Sequence, residues 1–197
     1  MSEVKIANPA PLGLSGFALT TLVLSAWNGG LLKGADVLIV LGLALFYGGI
    51  AQFAAGMWEF RSGNTFGAAA FTSYGAFWLS FAALLIPWFG IGFGTKTGPS
   101  STALAWYLLG WAIVTGIFML GTFRINGGLA LVFILLFVTY ILLMLGAFAG
   151  QGAGEGMTQI GGYVGIATAI AAWYVALAAI LSAVSGDKIK LPVMPFA

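Results

Sequence analysis

An all-α integral membrane protein is what this sequence predicts, and three observations carry the expectation. Hydrophobic residues make up 61% of the 197-residue chain and charged residues only 6%, whereas a soluble domain devotes about a quarter of its residues to charge. The apolar residues gather into six runs, each close to the ~20 residues that a helix needs to cross a bilayer. Those runs are long and unbroken, without the residue-by-residue alternation of a membrane-spanning barrel strand.

The first expected span runs from about Leu14 to Leu32, the second from about Val37 to Trp58 and the third from Phe66 to Phe89. The fourth runs from Thr102 to Phe123, the fifth from Leu129 to Ala149 and the sixth from Gly162 to Ser185. Residues 1–13 form an N-terminal segment with an Asn-Pro-Ala-Pro motif, residues 14–185 the six-helix transmembrane domain, and residues 186–197 a C-terminal tail. The N-terminal segment lacks the basic region of a cleavable signal and the first run is too long for one, so that run is expected to remain as a helix.

Each span has its own local logic. Asn8-Pro9-Ala10-Pro11 has the chemistry of a helix start, because Asn accepts from free backbone amides and Pro is tolerated in the first turn; Gly63-Asn64-Thr65 repeats that chemistry before the third span. Within the first span Phe17, Thr21, Leu24 and Asn28 share one helix face, flanked by Thr20 and Ser25. The second span carries a row of small or amide residues, Ala44, Gly48, Gln52 and Gly56. The third carries a small stripe, Ala68, Thr72, Ala76 and Ser80, beside an aromatic face of Phe71, Tyr74, Trp78 and Phe81. Small stripes let helices approach closely, and Ser, Thr, Asn and Gln in membranes commonly bond between helices. Bulky all round, the fifth span is expected to touch lipid or a neighbouring subunit. Trp27, Trp58, Trp88 and Trp106 fall near span ends, as interfacial aromatics do.

The connections hold most of the charge and set the orientation. With six spans, both termini and the 2/3 and 4/5 connections share a side, which carries Lys5, Arg61, Arg124, Lys188 and Lys190. Only Lys33 and Lys96 lie opposite. The excess of basic residues places both termini in the cytoplasm.

Composition also excludes functions. The chain has no cysteine and no histidine, which removes thiolate chemistry, imidazole metal sites and a histidine relay; no metal or cofactor is expected and an enzyme is not. A net charge of +2 without a basic cluster gives no nucleic-acid surface. No lysine or arginine lies inside any span, so a small anion in this protein must be solvated by backbone amides, hydroxyls and side-chain amides. Asn8, Thr20, Thr21, Asn28, Gln52 and Asn64 are the candidates, each with structural capping or interhelical bonding as its alternative role. Glu59 and Glu155 are candidates for proton coupling, and both also read as ordinary charges at a span end and in a glycine-rich loop. A faint repeat at an offset of 95 residues pairs Phe53 and Ala54 with Phe148 and Ala149, and Gly67, Ala76 and Trp78 with Gly162, Ala171 and Trp173. A true repeat would relate the halves as an inverted 3+3 pair with the pathway at their interface.

Two long motifs, ANPAPLGLSGFALTT (Ala7 to Thr21) and FYGGIAQFAAGMWEFRSGNTFGAAAFTSYGAFW (Phe46 to Trp78), closely resemble the acetate uptake transporter family, whose bacterial members include succinate-acetate permeases. A weaker match at Gly121-Thr122 extends the resemblance over nearly the whole chain. The resemblance implies plasma-membrane transport of acetate and other short carboxylates such as succinate, proton-coupled or channel-like. It implies a homohexamer with one pathway per protomer, narrowed at an apolar constriction that maps to Phe17, Tyr74, Leu136 and Ala172, and it places the family's N-terminal signature on Asn8, Pro9 and Ala10. The rival readings are a channel for a neutral small solute such as urea or an amide, and a membrane sensor that binds a carboxylate without moving it.

Overall fold

The structure of the protein is a computed structural model that describes residues 6–86 and 99–196. Lys5, Trp88 and Lys96, and the expected end of the third span at Phe89, lie outside the described residues. Six helices are long and apolar enough to cross a membrane: α1 Ala10–Asn28, α2 Gly34–Ser62, α3 Thr65–Leu85, α4 Ser101–Thr122, α5 Gly127–Phe148 and α6 Gly156–Val184. Among the described residues the extended structure amounts to an isolated antiparallel bridge between Asn126 and Pro195.

The boundaries follow from capping. Helix α1 begins at Ala10, ahead of the expected Leu14, because the Ala10 N–H donates to Asn8 Oδ1 at 2.9 Å and Pro11 sits in the first turn, where a missing N–H costs nothing. It stops at Asn28 rather than Leu32, since Gly30 takes a left-handed turn at φ 78°. Asn64 caps α3 by accepting from the Gly67 N–H at 3.1 Å, as its position before the span predicts. Asn126 caps α5 in the same way, accepting from the Leu129 N–H at 2.8 Å. Helix α6 starts at Gly156, a full turn and more before the expected Gly162.

The second span is not a uniform helix. It opens with a 3-10 turn at Gly34–Leu38, continues through a short α segment at Ile39–Gly42, and widens into a π-helix at Leu43–Ala51 before finishing as α-helix over Gln52–Ser62. Wide turns of this kind are rare and recur at functional sites.

Glycine and aromatic residues divide the packing between them. Helices α1 and α6 run against each other at backbone distance: a Cβ built on Gly162 would overlap the Gly29 backbone, and one on Gly165 would overlap Ser25 Oγ. Gly16 of α1 lies against the Tyr47 carbonyl, and Gly48 of α2 against Thr20 and Trp78. By contrast, α3 and α4 meet through large rings, with Phe77 and Trp111 centroids 5.0 Å apart and Tyr74 and Trp111 centroids 6.0 Å apart. An exact inverted repeat would make the α1–α6 and α3–α4 contacts equivalent. Glycines close one and rings prop open the other, so the packing departs from that symmetry.

The small stripe expected on α3 packs over only half its length. Thr72 lies tightly against Gly56 of α2, whereas Ala76 and Ser80 are exposed; Gly75, off the stripe, makes a further close contact with Phe53. On α5 an outward row of Leu131, Ile134, Val138 and Leu145 is exposed, as its bulk predicts, while the opposite face is buried against α4 and α6. Beyond α6 the chain turns back at Gly186, φ 58°, and the tail lies across the start of α5. There the Gly127 N–H donates to the Met194 carbonyl at 2.7 Å and the Gly128 N–H to the Val193 carbonyl at 2.9 Å. The segment read as a C-terminal tail is thus a strap that supplies acceptors to a helix N-terminus.

Candidate functional site

Two cavities lie in series between the helices. The near cavity, on the side of the termini, has a volume of about 400 Å3, and Ala10, Asn64, Asn126 and Lys190 mark its mouth. The far cavity has a volume of about 460 Å3 and reaches Asn28, Leu85, Ser101 and the loop at Gly150–Ala153. Phe17 and Leu136 line both. These two side chains, from α1 and α5, therefore stand where one cavity ends and the other begins. Both are buried, and the ring of Phe17 lies 5.8 Å from that of Tyr74.

The face read from spacing on α1 is reproduced in full: Phe17, Thr21, Leu24 and Asn28 all line the far cavity. Thr21 Oγ1 is buried there without a hydrogen-bond partner. Thr20, one residue earlier, points elsewhere; its hydroxyl donates to the Gly16 carbonyl at 2.8 Å and it lines neither cavity. The aromatic face of α3 is shared, with Phe71 and Tyr74 on the near cavity and Trp78 and Phe81 on the far one.

Tyr74 contributes its ring to the near cavity, while its hydroxyl is hydrogen-bonded to Thr115 Oγ1 on α4 at 2.8 Å. Ala172 is fully buried on α6 in the same core as Phe17 and Leu136, and lines neither cavity. Asn8 is exposed and occupied in starting α1.

Gln52 and Glu59, seven residues apart and so on one face of the α-helical half of α2, both line the near cavity. Glu59 does lie in the last turns of α2, but it is not an ordinary solvated charge there, since only 2% of the residue is exposed. It is buried because Gly67 of α3 has no side chain to displace it, and because Asn64 folds back over it. Its Oε2 accepts from Asn64 Nδ2 at 2.9 Å and from Ser62 Oγ at 3.3 Å, whereas Oε1 is buried with no partner. Gln52, 1% exposed, likewise has a buried and unpartnered Oε1. Glu155 has the opposite fate: it is exposed, lines neither cavity, and its Oε2 accepts from the Gly152 N–H in its own loop at 2.8 Å.

The rest of the lining is mainly apolar, with Phe66, Phe133 and Val132 on the near side and Phe77, Leu108 and Tyr140 on the far side. These residues carried no sequence signal beyond hydrophobicity. Nor did Lys190, which reaches the near mouth only because the strap folds back. Among the described residues, no three His, Cys, Asp or Glu side chains come together as metal ligands would. The arrangement offers a small solute two chambers, each with a few buried polar atoms, joined at an apolar neck.

Comparison with known proteins agrees with this layout. A Saccharomyces cerevisiae relative named Ammonia transport outward protein 2 is 47% identical over 178 residues, which are 89% of this chain and 62% of that one. The chain thus spans about 62% of the length of the yeast relatives that it matches at that identity. The Escherichia coli (strain K12) Succinate-acetate/proton symporter SatP is 39% identical over 194 residues, 98% of each chain. The solved structure of the bacterial acetate channel SatP superposes with a TM-score of 0.84 at 39% identity, covering 96% of this chain and 99% of that one. The model of the GPR1/FUN34/yaaH family matches residues 1–197. With both motifs, the six-helix fold and full-length similarity in agreement, the chain belongs to the GPR1/FUN34/yaaH family.

Proposed function

We propose that the protein carries acetate and other short carboxylates, succinate among them, across the membrane through one pathway in each protomer. The observation that carries this reading is the pair of cavities that share Phe17 and Leu136. An apolar neck between two partly polar chambers suits a solute with a methyl group and a single charged head. The methyl passes an apolar ring cheaply, the head is desolvated for a short distance only, and hydroxyls and amides on either side take it up without holding it tightly. Thr21 and Asn28 serve on the far side, Gln52 and Asn64 on the near side. The names of the Escherichia coli symporter and the bacterial acetate channel support the choice of substrate.

Phe17 and Leu136 set the neck in this reading, with the Tyr74 ring beside them and Ala172 packed behind. Glu59, with one carboxyl oxygen unpartnered on the near cavity, is the residue through which a proton is coupled. Glu155 has no such placement and serves the loop before α6. The protein sits in the plasma membrane with both termini in the cytoplasm, so that the near cavity opens inward, and it assembles as a homohexamer.

Uptake of labelled acetate into proteoliposomes, with and without an inward proton gradient, tests the proposal. Flux well above that of empty vesicles is expected, and its absence sinks the carboxylate reading. A channel for a neutral solute such as urea or an amide is the second reading, favoured by the yeast relative named for ammonia; uptake of labelled urea or acetamide that exceeds acetate uptake would select it.

A further inference from the structure

We infer that the C-terminal strap is part of the pathway's entrance, and that Lys190, which it carries, recruits anionic carboxylates to the near cavity. The inference rests on the carboxylate reading above and adds a residue that determines charge preference. Among the described residues lining the two cavities, Lys190 is the only cation and Glu59 the only anion.

A chain terminus beyond its last helix is usually loose, but this one is pinned on both sides of Lys190. Before it, the Ile189 N–H donates to Ser185 Oγ at 2.9 Å. After it, the Pro192 carbonyl accepts from the Tyr174 hydroxyl at 2.9 Å, and the Val193 and Met194 carbonyls accept from the Gly128 and Gly127 amides at the start of α5. Leu191 and Val193 join Lys190 in the cavity wall. The strap therefore holds its lysine at the mouth.

The physical need for a cation there is plain. An entering carboxylate otherwise meets apolar walls, neutral amides and the Glu59 carboxyl. A cation at a cleft mouth raises the local concentration of anions and their entry rate, and does so less as salt screens it. Being exposed, the ammonium attracts without binding the cargo tightly, which a conducting pathway requires. The neighbouring charges do not compete for the role. Asp187 accepts from Ser182 Oγ at 2.5 Å, and Arg61, Arg124 and Lys188 are exposed and outside the cavity lining. A dianion gains more from one cation than a monoanion, so succinate uptake depends on Lys190 more than acetate uptake does.

Because the chain has no cysteine, Lys190→Cys supplies a single thiol whose charge can be set chemically. Purified protein is reacted with thiosulfonate reagents of similar size and opposite charge, reconstituted, and assayed for initial uptake of labelled acetate and succinate. At about 0.01 M salt, where screening extends over ~30 Å, the unmodified variant should take up acetate roughly 3- to 10-fold more slowly than wild type. The positive adduct should return the rate to within about twofold, the negative adduct should lower it further, and the differences should shrink towards nothing at about 1 M salt. Succinate should show the larger span. Lys188→Cys carrying the same adducts is the control: lying outside the cavity lining, it should show a clearly smaller difference between the two adducts than Lys190→Cys at every salt concentration. Equal rates for the two Lys190→Cys adducts, or a rate difference that ignores salt, overturn the inference, because a purely structural role of the strap is blind to the sign of the charge. Wild-type protein without acetate flux would instead overturn the carboxylate reading beneath it.

Discussion

A tyrosine at mid-span offers a hydroxyl to a passing anion, yet here that hydroxyl is bonded to Thr115, and what faces the near cavity is the ring. Tyr74→Phe should therefore leave acetate flux within about twofold of wild type while lowering stability by about 1 kcal/mol, the net worth of one buried hydrogen bond. Loss of flux in that variant would mean that the hydroxyl serves the cargo after all. Leu136 makes the complementary test. Leu136→Ala should ease the passage of propionate and butyrate more than that of acetate, and unchanged relative rates across the series would remove Leu136 from the neck. At this scale, what was legible was what periodicity encodes: the spacing of Phe17, Thr21, Leu24 and Asn28 puts them on one face, and they line one cavity. The burial of Glu59 was not, because it depends on the missing side chain of Gly67 and the fold-back of Asn64, neither of which local sequence announces.

The elements themselves were legible from length and hydropathy, and the starts of α1 and α3 from caps, with Asn64 the clearest case. Which faces would meet was harder to read. The stripe on α3 suggested a close helix contact and makes one where Thr72 meets Gly56, but α1 and α6 approach as closely through Gly29, Gly162 and Gly165, which no stripe announced. Small residues permit contact without naming a partner, and thirty glycines leave too many candidates. Gly165→Val should overpack this interface and destabilise the protein by roughly 1–3 kcal/mol, read as a lower thermal unfolding temperature in detergent. The same change at Gly110, whose missing Cβ would meet no neighbour, should have a far smaller effect. The strap was illegible for a different reason: it is held by backbone carbonyls, which every sequence possesses.

For the whole molecule, two chambers in series imply selection by passage rather than by capture. The hexamer proposed for it predicts a detergent-corrected mass six times the protomer's 20.4 kDa by native mass spectrometry; a monomer peak under the same conditions would refute it. Composition fixed the fold class because hydrocarbon admits few architectures, and the two N-terminal motifs fixed the family. The second half of the chain, whose motifs are looser, supplied Leu136 and the strap with little warning. The π-helical stretch at Leu43–Ala51 also bears on how the halves are aligned in phase. It ends directly before Gln52, so it determines the angle at which Gln52 and Glu59 emerge. Deleting one residue within it would let the span close into regular α-helix with the phase beyond it nearly kept, because the wide turns already hold the extra residue; the same deletion in the α-helical half would rotate everything beyond by about 100°. A one-residue gap here is therefore the length change the span should tolerate, whereas a gap past Gln52 decides whether a carboxyl group looks into the chamber or into lipid.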